Sequence, residues 1–203
     1  MIQRARSLLG SSRTSISKPS ADEADAPADD APSSPAVVFG FRKGQKGPVY
    51  GDESLMRPRA HGTSDTPVQP TLRWGCDVKQ ADKICNFNRH YAERARYFMS
   101  TSFMRDLHRA EREGEKTLTF FDSNTGQPLF SAPRFRSYEK FWAESKAHGW
   151  PSFRDEEVNW DRVRLLANRE CVSIDGTHLG HNLPDRYGNR YCINLVSVAG
   201  FPK

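Results

Sequence analysis

Apolar and polar residues alternate with two different periods along the chain, and the change falls near residue 116. Before it, "HYAERARYFM" spaces Tyr91, Ala95 and Phe98 as on one helix face. "TSFMRDLHRAEREG" predicts a second helix, capped near Ser102 and stopped by Gly114. After it, "KTLTFFDSNTGQPLF" reads as a strand, an Asp-Ser-Asn-Thr-Gly turn and a second short strand. Ser137 then offers a cap for a helix through Lys146, burying Phe141 and Trp142 on one side and ending at Gly149. "RVRLL" and "RECVSI" alternate as antiparallel strands do, and Asp175–Gly176 signals a tight turn. "LPDRYGN" is a loop before the final strand. The chain lacks βαβ alternation and internal repeats. The expected fold class is α+β, with N-terminal helices followed by a mainly antiparallel β core.

Composition divides the 203 residues in two. Eight of the 13 prolines lie in residues 1–70, beside tracts such as "SADEADAPADDAPSSP". So little apolar surface cannot offset the entropy of ordering, so 1–70 reads as a disordered extension and 71–203 as the folded domain. "AVVFGF" (Ala36–Phe41) is the extension's apolar cluster. The first 21 residues carry four basic side chains, many serines and no acid, which suits import into a mitochondrion or plastid; the alternative is the cytoplasm. The net charge of +5 does not point to nucleic acid, because Lys and Arg are interspersed with Asp and Glu and no stacking aromatics accompany them. No apolar run approaches the ~20 residues of a membrane span. The four cysteines show no CxxC spacing, so neither a zinc ribbon nor a disulfide framework is signalled.

Candidate chemistry gathers in the last third. In "RYCINLVSV" an extended chain points Cys192 and Asn194 to one face, continued by Val196 and Val198, with Tyr191, Ile193 and Leu195 on the other. A cysteine there is either a small buried hydrophobe or a nucleophile. "HGWPSF" (His148–Phe153) and "GTHLGH" (Gly176–His181) precede it, and each alone could be simple packing. In this order, from about Thr117 to Gly200, "TGQPLF", "HGWPSF", "GTHLGH" and "NRYCINLVSV" resemble the methionine sulfoxide reductase B family, the peptide-methionine (R)-S-oxide reductases. Residues 71–116 lie outside that resemblance.

The resemblance implies an oxidoreductase that reduces methionine-R-sulfoxide, protein-bound or free, to methionine. Cys192 would be the nucleophile that becomes a sulfenic acid. His178, His181 and Asn194 would be the active-site polar residues, and Trp150 the aromatic that receives the methyl group. The residue types suit this chemistry. A thiol needs help to ionise near neutrality, and Arg190 supplies a permanent charge on the strand face of Cys192. His178 and His181 are available proton donors. Implied partners are oxidised methionine and a thioredoxin-like or other thiol reductant, with no cofactor, nucleic acid or membrane.

Three departures from the family pattern stand out. Asp122, Thr125, Val172 and Asp175 occupy the positions where zinc-bearing relatives have two CxxC pairs, so no structural metal is expected. Leu183 stands where the family commonly shows an aromatic, and His148 where some relatives keep a resolving cysteine. Cys85, in "DKICNFNRHYAE", is then the candidate resolving thiol if its segment wraps over the catalytic face; otherwise it is simply buried. Two competing readings are a Cys/His metal site formed by Cys192, His178 and His181, and a non-catalytic module on the same fold.

Overall fold

Gly149 turns the chain at a positive φ, and the helix before it shows how the sequence writes its own boundaries. Helix α3 (Tyr138–His148) starts where the Ser137 hydroxyl accepts from Lys140 N–H (3.2 Å). It ends where Gly149 takes φ +91° and donates to Ser145 C=O (2.8 Å). Tyr138, Phe141 and Ser145 form its buried face, whereas Trp142 is only half-buried beside Lys146. The computed structural model describes residues 47–203. The transit-like start and the Ala36–Phe41 cluster lie outside the described residues.

Two short helices precede α3: α1 (Val78–Asp82), which continues as a π-turn through Phe87, and α2 (Phe103–Arg112). Strands β1 (Leu118–Phe121) and β2 (Pro128–Ala132) form an antiparallel hairpin, as their alternation predicts. After α3 come β3 (Ser152–Phe153), β4 (Val163–Leu165), β5 (Glu170–Ser173), β6 (His178–Asn182) and β7 (Tyr191–Ile193). They form one antiparallel sheet in the order β3-β7-β6-β5-β4. The fold mixes helices with antiparallel sheet, consistent with the expected class. No described helix is long and apolar enough to cross a membrane.

An aromatic cluster joins the hairpin, α3 and the sheet. Phe153 stacks on Phe130 (4.4 Å between centroids) and meets the edge of Phe120 (4.9 Å), with Phe141 at 5.5 Å. All four are fully buried. Each such side chain contributes roughly 1.5–3 kcal/mol, with about 0.5–1.5 kcal/mol more per well-oriented ring pair. Phe153 is the neighbour in sequence of Ser152, so this cluster anchors the strand that flanks Cys192.

Three expectations need correction. Residues 47–70 are not part of a disordered extension. Val49 and Gly51 exchange backbone hydrogen bonds with Leu165 (2.9 and 3.0 Å), covering the free edge of β4. Met56 packs on Leu166 and Val172, and Val68 is buried. A compositional average over 70 residues hides these few anchors. Residues 90–96 are not helical despite their spacing: Arg96 sits at φ +63°, a short 3-10 turn follows at Tyr97–Ser100, and Glu93 has a tertiary task described below. Finally, β7 ends at Ile193, so Val196 and Val198 do not extend its face. They enter the core through a 3-10 turn, Leu195–Ser197.

Ser137→Ala removes the α3 cap and should cost about 1 kcal/mol, lowering the melting temperature by about 2–4 °C for a chain of this size. Calorimetry of the two proteins checks this; an unchanged midpoint would show that the cap adds nothing to what the buried face of α3 supplies.

Candidate active site

Residues directly opposite one another in an antiparallel sheet point to the same face. Ser152 lies opposite Cys192, Cys192 opposite His181, and His181 opposite Glu170. Strands β3, β7, β6 and β5 therefore present one row of four polar side chains. His178 would face the other way from His181 in a regular strand, since they are three apart. A bulge cancels this. Cys171 pairs with Gly180 but Val172 with His178, so Leu179 is an extra residue that returns His178 to the face of His181. Gly180 permits the close approach of β6 to β7: a Cβ there would lie 2.1 Å from Cys192 C=O.

The row opens into a pocket of about 200 Å³ lined by Cys192, His178, His181, Asn194 and Trp150, together with Gly180 and Leu183. His90, Tyr91 and Ala92 close its remaining side. The structure thus brings five of the sequence-predicted residues to one cavity. Arg190, the sixth, donates from Nη1 to Cys192 Sγ (2.5 Å) and also faces Asp185 (3.4 Å).

Electrostatics differ from residue to residue. Burial pushes the Cys192 thiol above its ordinary value, and the Arg190 charge with hydrogen bonds from Ser152 and Arg190 pulls it back. His178 Nδ1 donates to Glu170 Oε1 (2.7 Å), which sets its tautomer and turns Nε2 towards the cavity. Burial of Glu170 is outweighed by hydrogen bonds from His178 and Arg89, which hold its carboxyl at about 2. Arg89 bonds it through both Nε (3.0 Å) and Nη2 (2.6 Å). His181 is held below its ordinary 6.5 by burial and by the neighbouring His178, so it is uncharged at neutral pH. Asn194 is fixed by Nδ2 donating to Leu179 C=O (3.2 Å), and Trp150 by Nε1 donating to Glu93 C=O (3.2 Å).

Sequence reasoning missed Glu170, Arg89 and Glu93. Glu170 is the second residue of the run "RECVSI", but only strand register reveals that it backs His178. Cys85, the expected resolving thiol, is not brought to the cavity. It is fully buried in the core with its Sγ against Ser197 Oγ (3.5 Å), and burial pushes its thiol far up. Cys76 and Cys171 are likewise buried, leaving Cys192 as the half-buried member of four free thiols.

Residue chemistry also bears on metal binding. Asp122 is buried, accepts from Thr177 Oγ1 (3.0 Å) and Asn124 N–H (2.8 Å), and is pushed by burial up to about 6. Thr125 donates to Asp175 (3.5 Å), and Val172 has no donor atom to offer. This set does not fit structural zinc. Among the described residues, potential ligands that converge within 4.8 Å are Glu144, His148 and Asp185, not Cys192 with His178 and His181. The guanidinium of Arg154 already bridges Glu144 and Asp185.

No protein-family model matches the chain, and no solved structure matches it significantly. It is 44% identical over 89 residues to the peptide methionine sulfoxide reductase MsrB of Methanosarcina mazei, a match covering 38% of this chain and 56% of that one. The protein of the same name from Methanosarcina barkeri is 45% identical over 84 residues (36% and 53% covered), and that from Thiobacillus denitrificans 37% over 83 (36% and 60%). The chain spans a little over half the length of the curated relatives it matches. The chain is thus similar, over about a third of its length, to peptide methionine sulfoxide reductases MsrB, and it gathers a half-buried cysteine and two histidines on one sheet face.

Proposed function

We propose that this protein reduces methionine-R-sulfoxide to methionine with electrons from an external thiol, through a sulfenic acid on Cys192. The observation that carries the reading is the row Cys192–His181–Glu170 with His178 beside it, facing a cavity with an aromatic wall at Trp150. His181, uncharged at neutral pH, takes the proton of the Cys192 thiol. The resulting thiolate attacks the sulfoxide sulfur while Arg190 stabilises its charge. The imidazole pair returns the proton to the sulfoxide oxygen, and the new Sγ–S bond and the S–O bond both break as that oxygen passes to Cys192. The products are Cys192–SOH and the thioether, so the sulfoxide is reduced by two electrons and the cysteine oxidised by two.

One fixed proton donor and one fixed methyl wall cannot serve both epimers, which supports selectivity for one of them; the resemblance to the (R)-S-oxide reductases points to R. Recovery needs a second thiol. Cys76, Cys85 and Cys171 are buried away from the cavity, so an external thiol condenses with the sulfenic acid, releasing water. A further thiol then frees Cys192 and leaves the reductant as a disulfide.

Turnover of pure R and S epimers of a methionine sulfoxide peptide with dithiothreitol tests the reading. Cys192→Ser should abolish reduction of R and remain folded, while Cys85→Ser should retain it. Substantial activity in Cys192→Ser, or similar rates for both epimers, would refute the mechanism.

The thiol shift sets a pH prediction. Because burial raises Cys192 above its ordinary 9.0, its alkylation by iodoacetamide should still be rising at pH 9. Arg190→Met removes a charge that lowers the thiol pKa, so alkylation at pH 7–8 should fall severalfold. Equal rates for the two proteins would remove Arg190 from its role.

The Asp122–Thr177 network implies a fold that needs no zinc. Elemental analysis should find substoichiometric zinc, and a chelator should leave the melting temperature unchanged. One zinc per chain, lost together with the fold, would be the contrary result.

A further inference from the structure

Residues 89–96 cross the mouth of the cavity with no helix or strand to hold them. They carry His90, Tyr91 and Ala92 into the cavity wall, so something else must fix their path. Three ties do so. Arg89 is clamped between Glu170 and Glu53 at one end. At the other, Arg96 N–H donates to Gly149 C=O (2.7 Å), next to Trp150.

The middle tie is Glu93, 1% exposed between exposed neighbours. Its two carboxylate oxygens accept separately from Leu195 N–H (2.8 Å) and Val196 N–H (3.0 Å), the turn that follows Asn194. Its own N–H donates to Asn194 Oδ1 (3.3 Å), and its C=O receives the Trp150 indole. A single residue therefore touches two cavity side chains and the backbone turn that follows Cys192 by three residues. A buried carboxylate is costly unless its hydrogen bonds are met. Only a carboxylate can accept from two diverging N–H groups at once, since Gln would turn an NH₂ against one of them.

We propose that Glu93 is a positioning residue: it pins the 89–96 strap as the substrate-facing wall and through it orients Trp150 and Asn194. This rests on the sulfoxide reductase reading, because the wall matters only if the cavity binds substrate. A displaced wall leaves the Cys192 row intact. It loosens the fit of the substrate, so KM rises more than kcat falls.

Glu93→Gln on the full chain tests the idea with two independent measurements. The first is tryptic nicking after the exposed Arg94 and Arg96, which reads strap mobility without any reductase assay. Nicking and the alkylation of Cys192 should both accelerate, nicking about tenfold or more. The second is steady-state reduction of a methionine-R-sulfoxide peptide, where KM should rise about tenfold with a smaller change in kcat and reduced R-over-S selectivity. Glu93→Asp keeps the charge one methylene short and should fall between the two proteins; it takes the place of Glu93→Gln if that variant does not fold. Unchanged nicking overturns the pin. Faster nicking with KM and selectivity unchanged, or a lowered melting temperature alone, overturns the role in positioning. A wild type without sulfoxide turnover refutes the proposed function instead, and nicking with Cys192 alkylation then decides the pin.

Discussion

Strand register is the constraint on which the rest of this structure depends. Ser152, Cys192, His181 and Glu170 stand in one line across four strands only because each pair is directly opposed. A shift of one residue in β7 would turn Cys192 into the core and Tyr191 out of it. The register is held from both sides of the sheet. Tyr191 and Phe153 are fully buried among aromatic rings, with the Tyr191 hydroxyl donating to Asp155 (2.6 Å). Gly180 allows β6 to lie against the Cys192 carbonyl, where no side chain would fit.

Charges buried behind the row are matched with comparable strictness. Glu170 binds both His178 and Arg89, and Arg136 binds Glu157 and Glu144. Arg154 joins Glu144 to Asp185, which in turn faces Arg190. Removing one partner of a fully buried pair, such as His178 with Glu170, strands the other at a cost of roughly 3–5 kcal/mol. The network therefore fixes Arg190 from behind while leaving its Nη1 to Cys192. It also pairs the carboxylates of the acid–histidine trio near α3 with arginines.

The bulge at Leu179 links fold to chemistry most directly. Two histidines three apart suit a helix face better than a strand, and a regular β6 would separate them. One inserted residue places both beside Cys192 and lets Glu170 reach His178. The His-x-x-His spacing was legible in the chain; the bulge that makes it useful was not, because it depends on how β5 pairs.

Local patterns determined what local forces control. The Ser137 cap and the Gly149 stop bounded α3, and the turn between β1 and β2 was legible from its residues. The order of motifs led to Cys192, His178, His181, Asn194, Trp150 and Arg190, because strand alternation already groups Arg190, Cys192 and Asn194. Tertiary packing decided the remainder. The spacing of Tyr91, Ala95 and Phe98 promised a helix, yet burying the Glu93 carboxylate against Leu195 and Val196 outweighs that weak local preference. Residues 47–70 looked too polar to fold, yet pairing with the edge of β4 and burying Met56 and Val68 orders them. Cys85 could be read as either a partner of Cys192 or a core residue, and only packing made it the second. Sequence carries the propensity of each segment; which distant group satisfies a buried charge, an open strand edge or a thiol is settled when the segments meet.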